Sequence, residues 1–507
     1  MTPVRERRGR SENFINFSKK FFQIKKSYPQ IFLFLLMLQS VIMNVEKIFY
    51  FQNSQKNNKM ANGNGNGNGK NGDHKNELDV KIIRKFLFVS WQSQSGDLAW
   101  QVLKEGHQVK CWVKDSDDAD VYDGILEKVD DWKSQVDWAD VIVFDDTGFG
   151  RDADNLRKAG KLVVGGSSYT DKLEEDREFG QEEMKKAGML TLPHWDFTEI
   201  DEALKFIQEN PGRYVYKPSG SEAGDYKGLL FLGKEEDGKD LHQILEGNKK
   251  VLSKKIKQFQ LQKLAAGVEV GCSAFFNGVD FLMPLNIGFE HKRLFPGEIG
   301  PFTGEMGSSM FWCGPNNFYH ATLEKMLAPL KESGYVGYID INCIINARGI
   351  YPLEFTCRFG YPTISIQMEG IINEWGEFLH ALANHQPYDL RTKKGFQIGV
   401  VVAVPPFPYE SKTEMDIYKD LSIIQKKPNL DGFHLGDVKF IDGDFRIAGN
   451  TGYALVITGS GATMKDARQQ AYNRIDNIML QNMFYRTDIG IRWYEESDKL
   501  QSWGYLY

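Results

Sequence analysis

The stretch from Ile339 to Phe355 constrains this chain more than any other. Ile339–Ile345 is apolar and β-branched except for Asp340, Asn342 and Cys343, Asn346–Gly349 has turn composition, and Pro352–Phe355 returns as a second short strand. The pattern predicts a hairpin in which Asn342 faces Glu354. Side-chain oxygens opposed in this way suit a hard divalent cation and the phosphates it accompanies. Glu354 belongs to PLEFTCRFGYP, Pro352 to Pro362, where Arg358 and Gly360 follow closely. A core hairpin with a Glu354–Arg358 ion pair would use the same residues, and this segment alone does not separate the two readings.

Two other segments favour a nucleotide site. Tyr214–Gly228, YVYKPSGSEAGDYKG, is a strand running into a loop with Gly220, Gly224 and Gly228 and the cations Lys217 and Lys227. Backbone N–H groups of such a loop can wrap phosphates while the lysines neutralise their charge. Gln258–Glu269, QFQLQKLAAGVE, is a strand whose edge fits an adenine, followed by Glu269 as acceptor for ribose hydroxyls. Each segment alone also reads as an ordinary hairpin or strand pair. Their succession is the stronger signal: lysine strand, glycine loop, edge strand, acid, carboxylate hairpin.

From Val80 onward the chain resembles the ATP-grasp superfamily, and within it the phosphoribosylamine–glycine ligase family. EHKRLFPGEIGPFTGEMG, Glu290 to Gly307, is similar to that family's DHKR and following TGPNTGGMG; LEFTCRFGYP is similar to EFNxRFGDPE; FYRTDIG, Phe484 to Gly490, is similar to its closing RxDIG. The resemblance implies ATP as a substrate with Mg²⁺ or Mn²⁺. Lys217 would lie on the nucleotide phosphates, with Gly220, Gly224 and Lys227 in the covering loop, and Arg177 stands where the family has its other nucleotide lysine. Glu269 matches the ribose-binding acid and Glu354 the first metal-binding carboxylate. Arg293 and Arg358 match arginines that steady the transferred phosphoryl group or the acyl phosphate.

The departures bear on the second substrate. Thr356 replaces an asparagine metal ligand, which leaves Asn342 or Asp340 to complete the metal's oxygens. Tyr361 and Thr363 replace the family's acids after RFG, and FDDTGFG, Phe144 to Gly150, replaces GPEAPL. The family's GGREHA turn, which lies beside the phosphoribosyl substrate, becomes QSQSGDLA, Gln92 to Ala99. The implied reaction is ATP-dependent amide formation through an acyl phosphate, with glycine or a similar carboxylate and an amine such as phosphoribosylamine, in purine nucleotide biosynthesis. The alternatives are the same chemistry with another amine, or a non-catalytic nucleotide-binding protein, the latter motivated by Thr356 and Tyr361.

Fold class follows from the same reading: α/β, with an N-terminal parallel α/β domain at 80–168, an ATP-grasp domain of two α+β lobes at 169–388, and a C-terminal β-rich domain at 389–507. About 430 residues beyond the leader are ample for three cores. Expected strands are Phe86–Val89, Val141–Phe144, Lys161–Val164 and Phe396–Val404. Expected helices are Asp97–Glu105, Leu173–Lys186, Ile200–Glu209, Leu323–Glu332, Trp375–Ala383 and Thr463–Met479. The net charge of −6, with no basic stripe interleaved with aromatics, argues against a nucleic-acid partner. Cys111, Cys272, Cys313, Cys343 and Cys357 are scattered without a CxxC pair, so neither a zinc site nor a disulfide framework is expected, and a reducing cytoplasm fits. Residues 1–79 read as a leader and linker. Ile31–Met43 resembles a signal core or a short anchor, too short for a span of ~20 residues. NGNGNGNGKNG, Asn62 to Gly72, cannot bury a core, and Met60 before it offers an alternative start. Stable membrane association is not expected.

Overall fold

The computed structural model describes residues 81–219 and 229–507. The leader with its apolar run and NG tract, and the glycine-rich loop 220–228, lie outside them. The first layer is a parallel sheet of β1 Lys85–Ser90, β2 Gln108–Val113, β3 Glu127–Lys128, β4 Val141–Phe144 and β5 Leu162–Val164. Phe86, Leu87, Phe88 and Val89 are all buried, as expected of a parallel strand covered on both faces. The strand order is β3-β2-β1-β4-β5. Connections leave β1 and β4 toward opposite sides, so a crevice opens beyond their carboxyl ends.

The charged helix expected over Leu173–Lys186 is two helices, Ser168–Glu175 and Arg177–Lys186. Asp176 is extended, and its side chain accepts from Phe179 N at 3.0 Å. Local capping overrides the helical periodicity here. The break makes Arg177 the first residue of the second helix. Next comes a small lobe with β6 His194–Phe197, β7 Tyr214–Ser219, β8 Phe231–Leu232 and β9 Gln258–Lys263, ordered β6-β9-β7-β8. Helices Ile200–Glu209 and Lys239–Lys255 bury Ile207, Leu241 and Leu245 against Tyr214, Tyr216 and Phe259.

The large lobe adds β10 Val268–Phe276, β11 Phe281–Glu290, β12 Arg293–Phe295, β13 Ile299–Phe302, β14 Gly307–Cys313, β15 Gly337–Asn346, β16 Gly349–Thr356 and β17 Phe396–Ala403. β12 and β13 form a separate hairpin. The others join strands Tyr453–Gly461 and Phe433–Leu435 in the order β16-β15-β10-β11-β14-β17, then 453–461, then 433–435, and Phe484–Tyr485 pairs with β17. The proposed boundary near residue 388 therefore falls in a linker, while the antiparallel ladder from Gly307↔Val400 to Phe311↔Phe396 carries one sheet across it. One core also spans the layers: Phe86, Leu98 and Val102 cluster with Trp375, Phe378 and Val400, and Lys81–Tyr507 forms one compact unit. We retain the three segments as a proposed division of the sequence.

Smaller expectations shift at their ends. Thr463 caps rather than begins its helix, which runs Met464–Ile475. Leu323–Glu332 starts as the 3₁₀ turn Leu323–Met326 before the α-helix Leu327–Glu332. All five cysteines are free. No helix among the described residues is long and apolar enough to cross a membrane.

Two of the sequence motifs clasp one another. Arg486 of FYRTDIG is fully buried and bonds Asp488 through Nε at 2.8 Å and Nη2 at 2.7 Å. It also reaches Glu298 at 2.6 Å and the Arg293 carbonyl at 2.9 Å, while Asp488 accepts from Gly297 N at 3.0 Å. The C-terminal motif thereby holds the β12–β13 hairpin through a planar fork that lysine cannot reproduce. Arg486→Ala should cost about 3 kcal/mol in urea unfolding, because it strands the carboxylate partners, and Arg486→Lys should recover only part of that loss.

Candidate functional site

The hairpin register places Asn342 opposite Glu354 and Asp340 opposite Thr356. With β10 and β11 alongside, four adjacent strands bring Glu269, Glu290, Asn342 and Glu354 to one place. Lys292 lies among the three glutamates, with Nζ at 3.1 Å from Glu269, 3.3 Å from Glu290 and 3.2 Å from Glu354. Asn342 Nδ2 donates to Glu269 at 3.2 Å and to Glu290 at 3.1 Å, while its Oδ1 is buried without a partner.

Charge is balanced unevenly within this cluster. Burial disfavours the Lys292 ammonium, but the three glutamates outweigh it and hold the lysine pKa well above its ordinary value. Lys292 in turn draws Glu354 down to about 2 against the effect of burial, with help from Arg177 and Lys217. Burial also opposes the charge on Glu269, yet Lys292 and Arg492 keep that pKa low. Glu290 goes the other way: burial, then Glu269 and Glu354, raise its pKa despite Lys292. One ammonium cannot fully compensate three carboxylates, and the proton preference falls on Glu290.

Lys217 sits on β7, almost wholly buried, with Nζ 2.7 Å from Gln262 Oε1. Burial and then the neighbouring Arg177 push its pKa down to about 7. The helix that begins at Arg177 is anchored on β16, where Gln181 donates to the Leu353 carbonyl at 3.2 Å. Lys217 and Arg177 therefore share the electrostatic neighbourhood of Glu354. Gly220, Gly224 and Lys227 lie outside the described residues.

The two arginines make their contacts elsewhere. Arg358 Nε is 3.3 Å from Glu174 and 3.5 Å from Asp146, so the alternative Glu354–Arg358 pair does not form. Glu174 also accepts from Cys357 N at 2.6 Å, which ties the RFG turn to helix Ser168–Glu175. Arg293 donates to the Gly300 carbonyl at 2.8 Å and lies 3.5 Å from the centre of the Phe302 ring. Thr356 is partly buried beside Asp340, whose pKa is raised by burial and then by Glu290.

Lys292 and Glu290 were not among the expected site residues. Their signal lay in EHKR: residues two apart on extended backbone point to the same side, so an acid and a base at 290 and 292 share a face. Among the described residues no group of three or more His, Cys, Asp and Glu is spaced to hold a metal ion. The Glu354 carboxylate and the unpartnered Asn342 Oδ1 are nonetheless hard oxygen donors on opposed strands, a set that fits Mg²⁺.

Comparison with known proteins agrees with this geometry. The phosphoribosylglycinamide synthetase ATP-grasp (A) domain family matches residues 175–364, and the C domain family matches 397–492, together more than half of the chain. A phosphoribosylamine–glycine ligase of Listeria monocytogenes is 29% identical over 360 residues, covering 67% of this chain and 80% of the relative. One from Streptococcus pneumoniae is 26% identical over 349 residues, covering 66% and 80%. The crystal structure of phosphoribosylamine–glycine ligase from Thermotoga maritima superposes with TM-score 0.61 at 22% identity, covering 80% of this chain and all of that one. Biotin carboxylase from Campylobacter jejuni follows the same fold with TM-score 0.54 at 12% identity, covering 83% and 97%. With both domain families matched in order and the carboxylate hairpin in register, the chain belongs, as a divergent member, to the phosphoribosylglycinamide synthetase family of ATP-grasp proteins.

Proposed function

We propose that this protein is an ATP-dependent carboxylate–amine ligase of the phosphoribosylamine–glycine ligase type, working in the cytoplasm in purine nucleotide biosynthesis. The observation that carries the reading is the Glu354–Asn342 pair, opposed in one hairpin and set within reach of the Lys217 and Arg177 charges. Lys217 and Arg177 would bind the nucleotide phosphates, with Gly220, Gly224 and Lys227 over them, and Glu269 would take the ribose. Glu354, Asn342 and Thr356 would hold Mg²⁺, which supplies charge neutralisation on the transferring phosphate. An oxygen of the glycine carboxylate attacks the terminal phosphorus and ADP leaves. The amine then attacks the acyl carbon, phosphate leaves, and the amine nitrogen gives up a proton. Arg358 and Arg293 are the arginines proposed to steady charge in these steps.

A second reading keeps this chemistry with a different amine. It is favoured by the replaced N-terminal turn, where the Asp145 carboxylate accepts from Ser95 N at 3.0 Å.

Three outcomes test the nucleotide half. Glu354→Gln should lower glycine-dependent ADP release by at least a hundredfold with unchanged circular dichroism; near-normal turnover would refute the metal assignment. Thr356→Asn should retain or raise activity, since an amide oxygen is the stronger metal ligand. With its pKa near 7, Lys217 is charged below that pH and loses its charge above it. ATP affinity measured by calorimetry should therefore weaken between pH 7 and pH 8.5, and Lys217→Arg should flatten that dependence because guanidinium does not deprotonate. A wild-type affinity independent of pH would remove Lys217 from the phosphate site.

A further inference from the structure

The segments that follow β1, β2 and β4, residues 91–99, 114–121 and 145–149, lie at the carboxyl edge of the parallel sheet. They contain one cation, Lys114, against seven aspartates. Lys114 is laid over the Trp91 ring, 3.3 Å from its centre. Trp91 itself donates to the Thr147 carbonyl at 2.8 Å, so the loops after β1 and β4 are in direct contact.

A helix N-terminus at such a crevice ordinarily offers free amides to a phosphate. Here the protein uses them. Ser95 N donates to Asp145 Oδ2 at 3.0 Å, and Gly96 N donates to the Ser93 carbonyl at 3.0 Å. Asp145 is fully buried, which raises its pKa to about 6, so at neutral pH and above its carboxylate stands in the turn as a built-in anion. Tyr361 closes the same place by donating to the Asp145 carbonyl at 3.0 Å.

The loops at this edge also hold buried oxygens that lack a well-formed hydrogen bond. Asp145 Oδ1 has only the Ser90 hydroxyl near it, and Asp118, 1% exposed, only the Asn450 main chain. Asp118 and Asp437 flank Gly449, where an added Cβ would lie 2.9 Å from Asp118 Oδ1 and 3.2 Å from Asp437 Cβ. Asn450 Oδ1, next in the chain, is buried and unpartnered as well. The nearby cations are committed: Lys439 to Asp120 at 2.9 Å and Asp420 at 2.6 Å, Lys419 to Asp120 at 3.2 Å, Lys412 to Asp117, and Arg358 to Glu174 at 3.3 Å and Asp146 at 3.5 Å. Buried acceptors without donors are costly unless a ligand supplies N–H or O–H groups.

We infer that the amine acceptor of this ligase carries no phosphate and is a neutral or cationic amine, held at this edge with Asp145 in the position a phosphate would take. The inference rests on the second reading above, the same ligase chemistry with a different amine, and says which class of amine that is. An anionic phosphate placed beside Asp145 would meet like charge, while Arg358 is already shared between Asp146 and Glu174 and Lys114 is laid over Trp91.

The test compares ribosylamine, putrescine and phosphoribosylamine by calorimetry against the full chain with ADP and Mg²⁺. At least one unphosphorylated amine should bind tenfold or more tighter than phosphoribosylamine, and Asp145→Asn should improve phosphoribosylamine binding severalfold by removing the built-in charge. Equal or tighter binding of phosphoribosylamine by the unaltered protein overturns the inference, as does binding of none of the three. Hydroxamate formed from glycine, ATP and hydroxylamine needs no acceptor, so it reports the carboxylate-activation step separately. Its absence would count against the ligase reading, not against the choice of amine.

Discussion

One ammonium among three carboxylates organises the candidate site. Lys292 is within 3.3 Å of Glu269, Glu290 and Glu354, which come from β10, β11 and β16. Carboxylates this close could not all stay ionised without it, and the loss of one partner from a partly buried ion cluster costs more than the pair itself contributes. The lysine thus sets which acids are charged: Glu354 and Glu269 are held in the carboxylate form, while Glu290 is biased toward its proton. A cation recruited by Glu354 and the free Asn342 oxygen would enter this balance in competition with Lys292.

The cluster depends on sheet continuity. Its strands lie at one end of a nine-stranded sheet whose other end belongs to the C-terminal segment, with β14 and β17 as the joint. The C-terminal chain returns to the same place twice. Arg486 holds the β12–β13 hairpin, and Arg492 donates to the carbonyls of Glu290 and Glu269 at 2.7 Å each. Main-chain positions of two of the glutamates are therefore fixed by a residue more than 200 positions away in sequence. The site's side chains all come from the first family domain, and the second contributes the Arg492 contacts that hold two of its strands.

At the opposite crevice the chemistry is reversed. Beside the cluster around Lys292 lie the Lys217 and Arg177 charges, whereas the loops at the carboxyl edge of the parallel sheet carry Asp145, Asp146 and Asp118. Arg358, tied to Asp146 and Glu174, stands between these regions and links the RFG turn to the loop after β4. Tyr361, which replaces a family acid, donates to that same loop. The changes at Tyr361, Phe144–Gly150 and Gln92–Ala99 are thus spatially one change, although the chain separates them by hundreds of residues.

The sequence by itself determined the parts governed by local physics. The hairpin was legible from its two apolar strands and the turn between them, whereas the Asn342–Glu354 pairing depends on a one-residue register shift between Asn342 and Cys343, without which Asn342 would face Leu353. The helices Ile200–Glu209 and Trp375–Ala383 and the strand Val141–Phe144 were legible from their apolar patterns. Tertiary structure decided what depends on non-local pairing. Asp176 ended a helix that periodicity would have continued, and the partner of Arg358 was set by the approach of Glu174 and Asp146 rather than by its neighbour Glu354. Lys292 became the centre of the site only when three strands delivered their glutamates to it. Charge alternation in EHKR could show which side Lys292 faces, but the identity of its partners is a property of strand order, and strand order is not written in any one segment.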